Sequence, residues 1–141
     1  MADGVFNIAK GKVNEYVDRV DGNDPTNSAL VLVVLEANQA DATLEDYDNL
    51  SLLLANAGNT ESAATNYARP VLTDTDISAS AVDDTNNRRE SAIPDETLTS
   101  YGPGNATTKL LVCYDPDSTA GTDTDLIPLT HHDWVGTPNV R

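Results

Sequence analysis

Basic residues are scarce in this chain. Eight Lys and Arg stand against 23 Asp and Glu, a formal net charge of −15 over 141 residues. A surface this negative repels phosphate backbones and anionic headgroups, which argues against nucleic acid and membranes as partners. It favours cationic partners, bound cations or an outward-facing repulsive surface. Cysteine is almost absent: Cys113 stands alone, so no intrachain disulfide and no cysteine metal site can form. It lies in the apolar run Leu110-Leu111-Val112-Cys113-Tyr114 and reads as a buried structural thiol. The reducing cytoplasm is the natural place of synthesis. Long apolar runs are missing too. The longest, Ala29 to Leu35, falls far short of the roughly 20 residues of a membrane helix. The start, Met1-Ala2-Asp3-Gly4-Val5-Phe6, lacks the basic and apolar regions of a signal peptide. Histidine (two), tryptophan (one) and phenylalanine (one) are thin for a binding pocket, which usually draws on such side chains.

The catalytic signatures that can be recognised from spacing are absent as well. There is no Gly-x-Ser-x-Gly elbow, no phosphate-binding loop and no Gly-x-Gly-x-x-Gly. Carboxylate pairs of the glycosidase kind leave no spacing to read. The expectation is a non-enzymatic protein without a cofactor.

What is present is a set of apolar segments separated by long polar stretches. Val5 to Val20 predicts an amphipathic helix, with Phe6, Ala9, Val13, Tyr16 or Val17, and Val20 at three- and four-residue steps. It stops at Asp21-Gly22-Asn23-Asp24-Pro25, which is dense in turn formers. Ser28 to Leu35 predicts a strand buried on both faces. Thr43 to Ala57 predicts a second, short helix, capped by Thr43 with Asp46 three residues on and closed near Gly58, or a shorter helix followed by irregular chain. Asn66 to Asp74 reads as a strand with Pro70 at its start or on an edge. The turn cluster Asp83-Asp84-Thr85-Asn86-Asn87 predicts a hairpin whose second strand is Arg88 to Ile93. Lys109 to Tyr114 is a strongly apolar strand, Asp115 to Asp125 a polar loop, and Leu126 to Thr130 a last short strand. Residues 131–141 read as a C-terminal loop or arm. The order gives one α+β domain over 1–141, built on a mainly antiparallel sheet or small sandwich with an N-terminal helix.

Three groups are candidates for binding. Asp115, Asp117, Asp123 and Asp125 are hard oxygen ligands in one loop, but Thr119 and Gly121 break the EF-hand spacing and no Glu closes it. They are weak metal candidates, and a solvated loop is the simpler reading. His131 and His132, next to Asp133, point to opposite faces of an extended chain, so one metal cannot readily use both. A surface or interface role fits them better than catalysis. Arg88-Arg89 is the one adjacent basic pair and suits a salt bridge, either local or to a neighbouring subunit. Trp134 reads equally as a core plug or as an anchor on a partner.

Several segments together carry a resemblance. They are Asn7 with its helix, Ala29-Leu30-Val31-Leu32-Val33-Val34-Leu35, Leu44-Glu45-Asp46-Tyr47, Asn66-Tyr67-Ala68-Arg69, Asp84-Thr85-Asn86-Asn87-Arg88, Ile93-Pro94-Asp95, Lys109-Leu110-Leu111-Val112-Cys113-Tyr114-Asp115, and the stretch from Thr119 to Thr130. In this order they resemble small virion structural proteins of tailed bacteriophages that infect actinobacteria. The resemblance implies a capsid decoration or minor capsid protein. Such a protein would sit on the outside of an assembled head, bind the major capsid protein and reinforce capsomer junctions. It would be a homotrimer or be clustered at local threefold positions. A head-to-tail connector or tail tube protein of the same particle is the alternative, since a negatively charged lumen lets DNA slide.

Overall fold

The computed structural model describes residues 3–138. Its centre is set by two long apolar strands, β2 (Ala29–Ala37) and β7 (Thr107–Asp115), paired antiparallel from Ala29 opposite Asp115 to Leu35 opposite Lys109. β-branched and Leu side chains fit a pleated surface buried on both faces, and β2 is buried from Ala29 through Leu35. β8 (Ile127–Gly136) lies along the other side of β7, and the two-residue β1 (Gly4–Val5) flanks β8. The free side of β2 is covered piecewise by β3 (Thr60–Glu61) and β4 (Val71–Leu72). Between them Pro70 accepts a hydrogen bond from Leu32 N (2.9 Å), and the Tyr67 hydroxyl accepts one from Val34 N (3.0 Å). A proline that cannot donate thus sits where only its carbonyl is needed. The result is one six-stranded antiparallel sheet, in an α+β fold as expected.

Alternation along the strands sorts the core into two layers. One face carries Val31, Val33, Leu35, Leu111 and Cys113, closed over by Phe6, Leu44, Leu50 and Leu53. The last three come from the short helices α2 (Asp41–Leu44) and α3 (Leu50–Ala55). The other face carries Leu30, Leu32, Val112, Tyr114 and Leu129, and receives Val17 and Val20 of α1 (Val13–Asp21) at one end. There Tyr16 stacks on Tyr114 with ring centroids 4.7 Å apart. A separate hairpin, β5 (Ala81–Asp83) and β6 (Arg88–Glu90), stands off this face with the turn at 84–87, as its Asp-Asn-rich sequence predicts.

Five boundaries differ from expectation, one of them the second hairpin strand, which is expected to reach Ile93 and ends at Glu90. The helix predicted over Val5–Val20 is cut to Val13–Asp21, because Gly11 adopts φ +78 and the chain before it forms β1 and a 3-10 turn at Asn7–Ala9. The helix predicted over Thr43–Ala57 is two helices, α2 and α3. Thr43 caps neither; Asn49 caps α3, its side chain accepting from Leu52 N (2.9 Å). The strand predicted over Asn66–Asp74 shrinks to Val71–Leu72. The last strand runs on past Thr130 to Gly136, so the stretch read as the start of an arm is strand paired with β7; residues 139–141 lie outside the described chain.

Candidate functional site

The acidic loop between β7 and β8 does not gather its carboxylates on one point. Asp115 Oδ1 accepts from Asp117 N (3.0 Å), Asp117 Oδ1 from Thr119 N (3.0 Å), and Asp125 Oδ2 from Thr122 N (3.0 Å). Each acid therefore pins a turn of its own loop. Asp123 faces Arg69 instead, which donates to it (2.5 Å from Nη1) and to both oxygens of Glu61 (2.7 and 2.6 Å). These hydrogen bonds drive the Arg69 pKa up and hold the Asp123 carboxyl below its usual value. Burial pushes Asp115 the other way. Among the described residues no group of three or more His, Cys, Asp or Glu is arranged to hold a metal ion.

The two histidines diverge as their alternation requires. His131, read as a surface or interface residue, is instead fully buried on the closed face. Its ring meets Phe6 edge-on (centroids 5.7 Å, 87°), and Nε2 lies 3.1 Å from Glu45 Oε1 while Nδ1 has no partner among the described residues. A Cβ on Gly4 would run into His131 Nε2 and come 2.5 Å from the same Glu45 oxygen, so a side chain there would displace the pair. The hydrogen bond with His131 holds the Glu45 carboxyl below its usual value. Beside this pair Lys109, also fully buried, puts Nζ 2.5 Å from Asp133 Oδ1 and 2.9 Å from Asp41 Oδ1; the second contact is an ion pair off-axis for a hydrogen bond. Burial opposes the Lys109 charge, but Asp133 and Asp41 outweigh it and hold its pKa above the ordinary value. A buried ammonium requires such partners. His132 emerges on the opposite face, with Nδ1 3.3 Å from Asp3.

The arginine pair is engaged within the chain. Arg89 reaches Asp18 of α1 (3.2 Å) and Ser80, docking the hairpin on the helix, while Arg88 pairs with Asp83 and Glu90. Burial pushes the Cys113 thiol up to about 12, which makes it inert.

What remains is a groove of about 450 Å³ on the second face of the sheet, at the end that α1 does not reach. Leu32, Val34, Leu110 and Val112 line the sheet side, and the segment 91–98 forms the opposite wall. Ile93 and Trp134, each 39% exposed, stand at its rim with His132, Asp95 and Glu96. Trp134 stacks on Tyr101 (6.4 Å, 10°), so it is neither a core plug nor a free side chain. Ile93, Pro94 and Leu98 form a wall that sequence reasoning missed; their spacing in an otherwise polar stretch is the one signal they leave. No helix among the described residues is long and apolar enough to cross a membrane. No family model, curated protein or solved structure matches the chain.

Proposed function

We propose that the protein is a structural subunit of a bacteriophage particle, one that binds the outside of an assembled head and reinforces the junctions between capsomers. The observation that carries this reading is the apolar groove rimmed by Ile93 and Trp134 on a chain whose net charge is −15. Charge of one sign keeps such a subunit from associating at random, while an apolar groove gives it a place to bind. The sequence resemblance supplies the particle, and the acidity favours the outer surface over the DNA-filled interior. The carboxylates, histidines and arginines of the candidate groups serve internal pairs and turns, which suits a scaffold rather than a reaction centre.

The test is sedimentation of undecorated heads with purified protein over a concentration series. Saturable co-sedimentation at hundreds of copies per head is expected. No binding at saturating protein overturns the reading. Six to twelve copies per particle, located at the portal, would replace it with a head-to-tail connector.

A further inference from the structure

We infer that the groove between the sheet and the 91–98 segment is a docking slot for an extended segment of a partner protein, one that alternates apolar side chains with Lys or Arg. Three observations carry this. The sheet side of the groove is hydrocarbon, and its polar residues (Ser91, Asp95, Glu96 and His132) offer no converging set of buried donors and acceptors of the kind that fixes a small molecule. The backbone of residues 92–97 makes no backbone hydrogen bond among the described residues, and past His131 no strand pairs with the outer edge of β8, where the Asp3 carboxylate accepts from Asp133 N (3.0 Å). Main-chain donors and acceptors therefore border the groove, as strand-like recognition of a peptide requires.

The third observation is charge. Asp95 and Glu96 have no ion pair among the described residues. Six of the chain's eight cations are engaged elsewhere: Lys10 by Glu45, Arg19 by Glu15, Arg69 by Glu61 and Asp123, Arg88 by Asp83, Arg89 by Asp18 and Lys109 by Asp133, while Lys12 does not line the groove and Arg141 lies outside the described residues. An occupant carrying positive charge is complementary to that rim. A second copy of this chain, at −15, brings the opposite. The identity of the partner, a head subunit, rests on the particle-binding reading; the chemistry of the slot does not.

Trp134 is the sole tryptophan and stands at the rim, so its fluorescence reports occupancy. The intact protein is titrated with three synthetic peptides: alternating Lys and Val, the same with Glu for Lys, and the same with Ser for Val. Saturable binding with a change in Trp134 emission is expected for the Lys-Val peptide alone. Ile93→Ser should weaken it about tenfold, and Asp95→Asn with Glu96→Gln should weaken it and flatten its salt dependence. Equal binding of the Lys-Ser peptide, no saturation with the Lys-Val peptide, or unchanged affinity in both variants overturns the slot. So does a dimer in sedimentation that Ile93→Ser abolishes. Heads that still bind Ile93→Ser sink the slot and leave the particle reading standing; peptide binding without head binding does the reverse.

Discussion

The two faces of the sheet are built to different degrees of completion. On the closed face, α2 and α3 lay Leu44, Leu50 and Leu53 over Val31, Val33 and Leu35, and each of these leucines is fully buried. Even its polar members, Lys109 and His131, are fully buried and face the carboxylates of Asp41, Asp133 and Glu45. On the open face, α1 covers only the Leu30–Tyr114 end, and irregular chain stands over the rest. A helix can present a continuous apolar stripe; an irregular segment does so less well, and leaves a groove. The closed face holds the fold together, and the open face has surface left over for a partner.

The largest effect that separates the faces should come from shortening leucines on each. Leu53→Ala opens a cavity under α3 and should cost about 2–5 kcal/mol, out of the roughly 5–15 kcal/mol that holds a domain of ordinary stability. Leu98→Ala, in the half-exposed wall of the groove, should cost less than about 1 kcal/mol. Urea unfolding of the two variants measures the difference, and similar midpoints would break the distinction between the faces.

Next comes the buried ammonium. Lys109→Ala leaves Asp41 and Asp133 facing each other without their cation. Removing one partner of a buried pair costs about 3–5 kcal/mol. The low end applies here, since the two carboxylates are 25% and 27% exposed and water can reach them. Lys109→Met combined with Asp41→Asn and Asp133→Asn should restore most of the loss. If the triple variant is no more stable than Lys109→Ala, charge is not what the site needs.

Acid probes the same closed face more gently. Its carboxylates Asp41 and Glu45 are held below their ordinary values of 3.8 and 4.5 by Lys109 and His131. A carboxyl with a depressed folded pKa stabilises above its unfolded value and loses that contribution as pH falls through the folded one. The melting temperature should therefore hold down to about pH 4.5 and decline below it, and Glu45→Gln should flatten part of that decline. A melting temperature that rises below pH 4 would contradict the sign.

How much of this was legible in the sequence follows the same division. β2 and β7 were plain, because a run such as Ala29 to Leu35 has no polar side to expose and so must be interior. The hairpin at 81–90 was plain from Asp83 to Asn87, since turn chemistry is local. The helix boundaries were not. Gly11 at φ +78 and Asn49 as a cap are single residues inside convincing apolar periodicities, and periodicity outvoted them. The burial of His131 and Lys109 was hidden because it depends on Glu45, Asp41 and Asp133, which only the register Lys109 opposite Asp133 brings together. The groove was hidden for the same reason: Ile93 and Trp134 are 41 positions apart, and no local pattern announces that they share a rim.

The smallest expected effect on stability is the most informative about function. Ile93 is 39% exposed and its segment makes no backbone hydrogen bond to the sheet, so Ile93→Ser removes little that folding buries. The change in stability should stay within about 0.5 kcal/mol, as for an ordinary surface substitution, with an unchanged urea slope. A core-facing Ile would behave differently, since burying its side chain contributes about 1.5–3 kcal/mol. If Ile93→Ser unfolds the protein as readily as Leu53→Ala does, the 91–98 segment is a lid over a finished core and the open face is closed after all. If stability is untouched while peptide affinity and attachment to heads fall together, Ile93 is kept apolar at a place where folding does not require it, which leaves a partner as the reason for it.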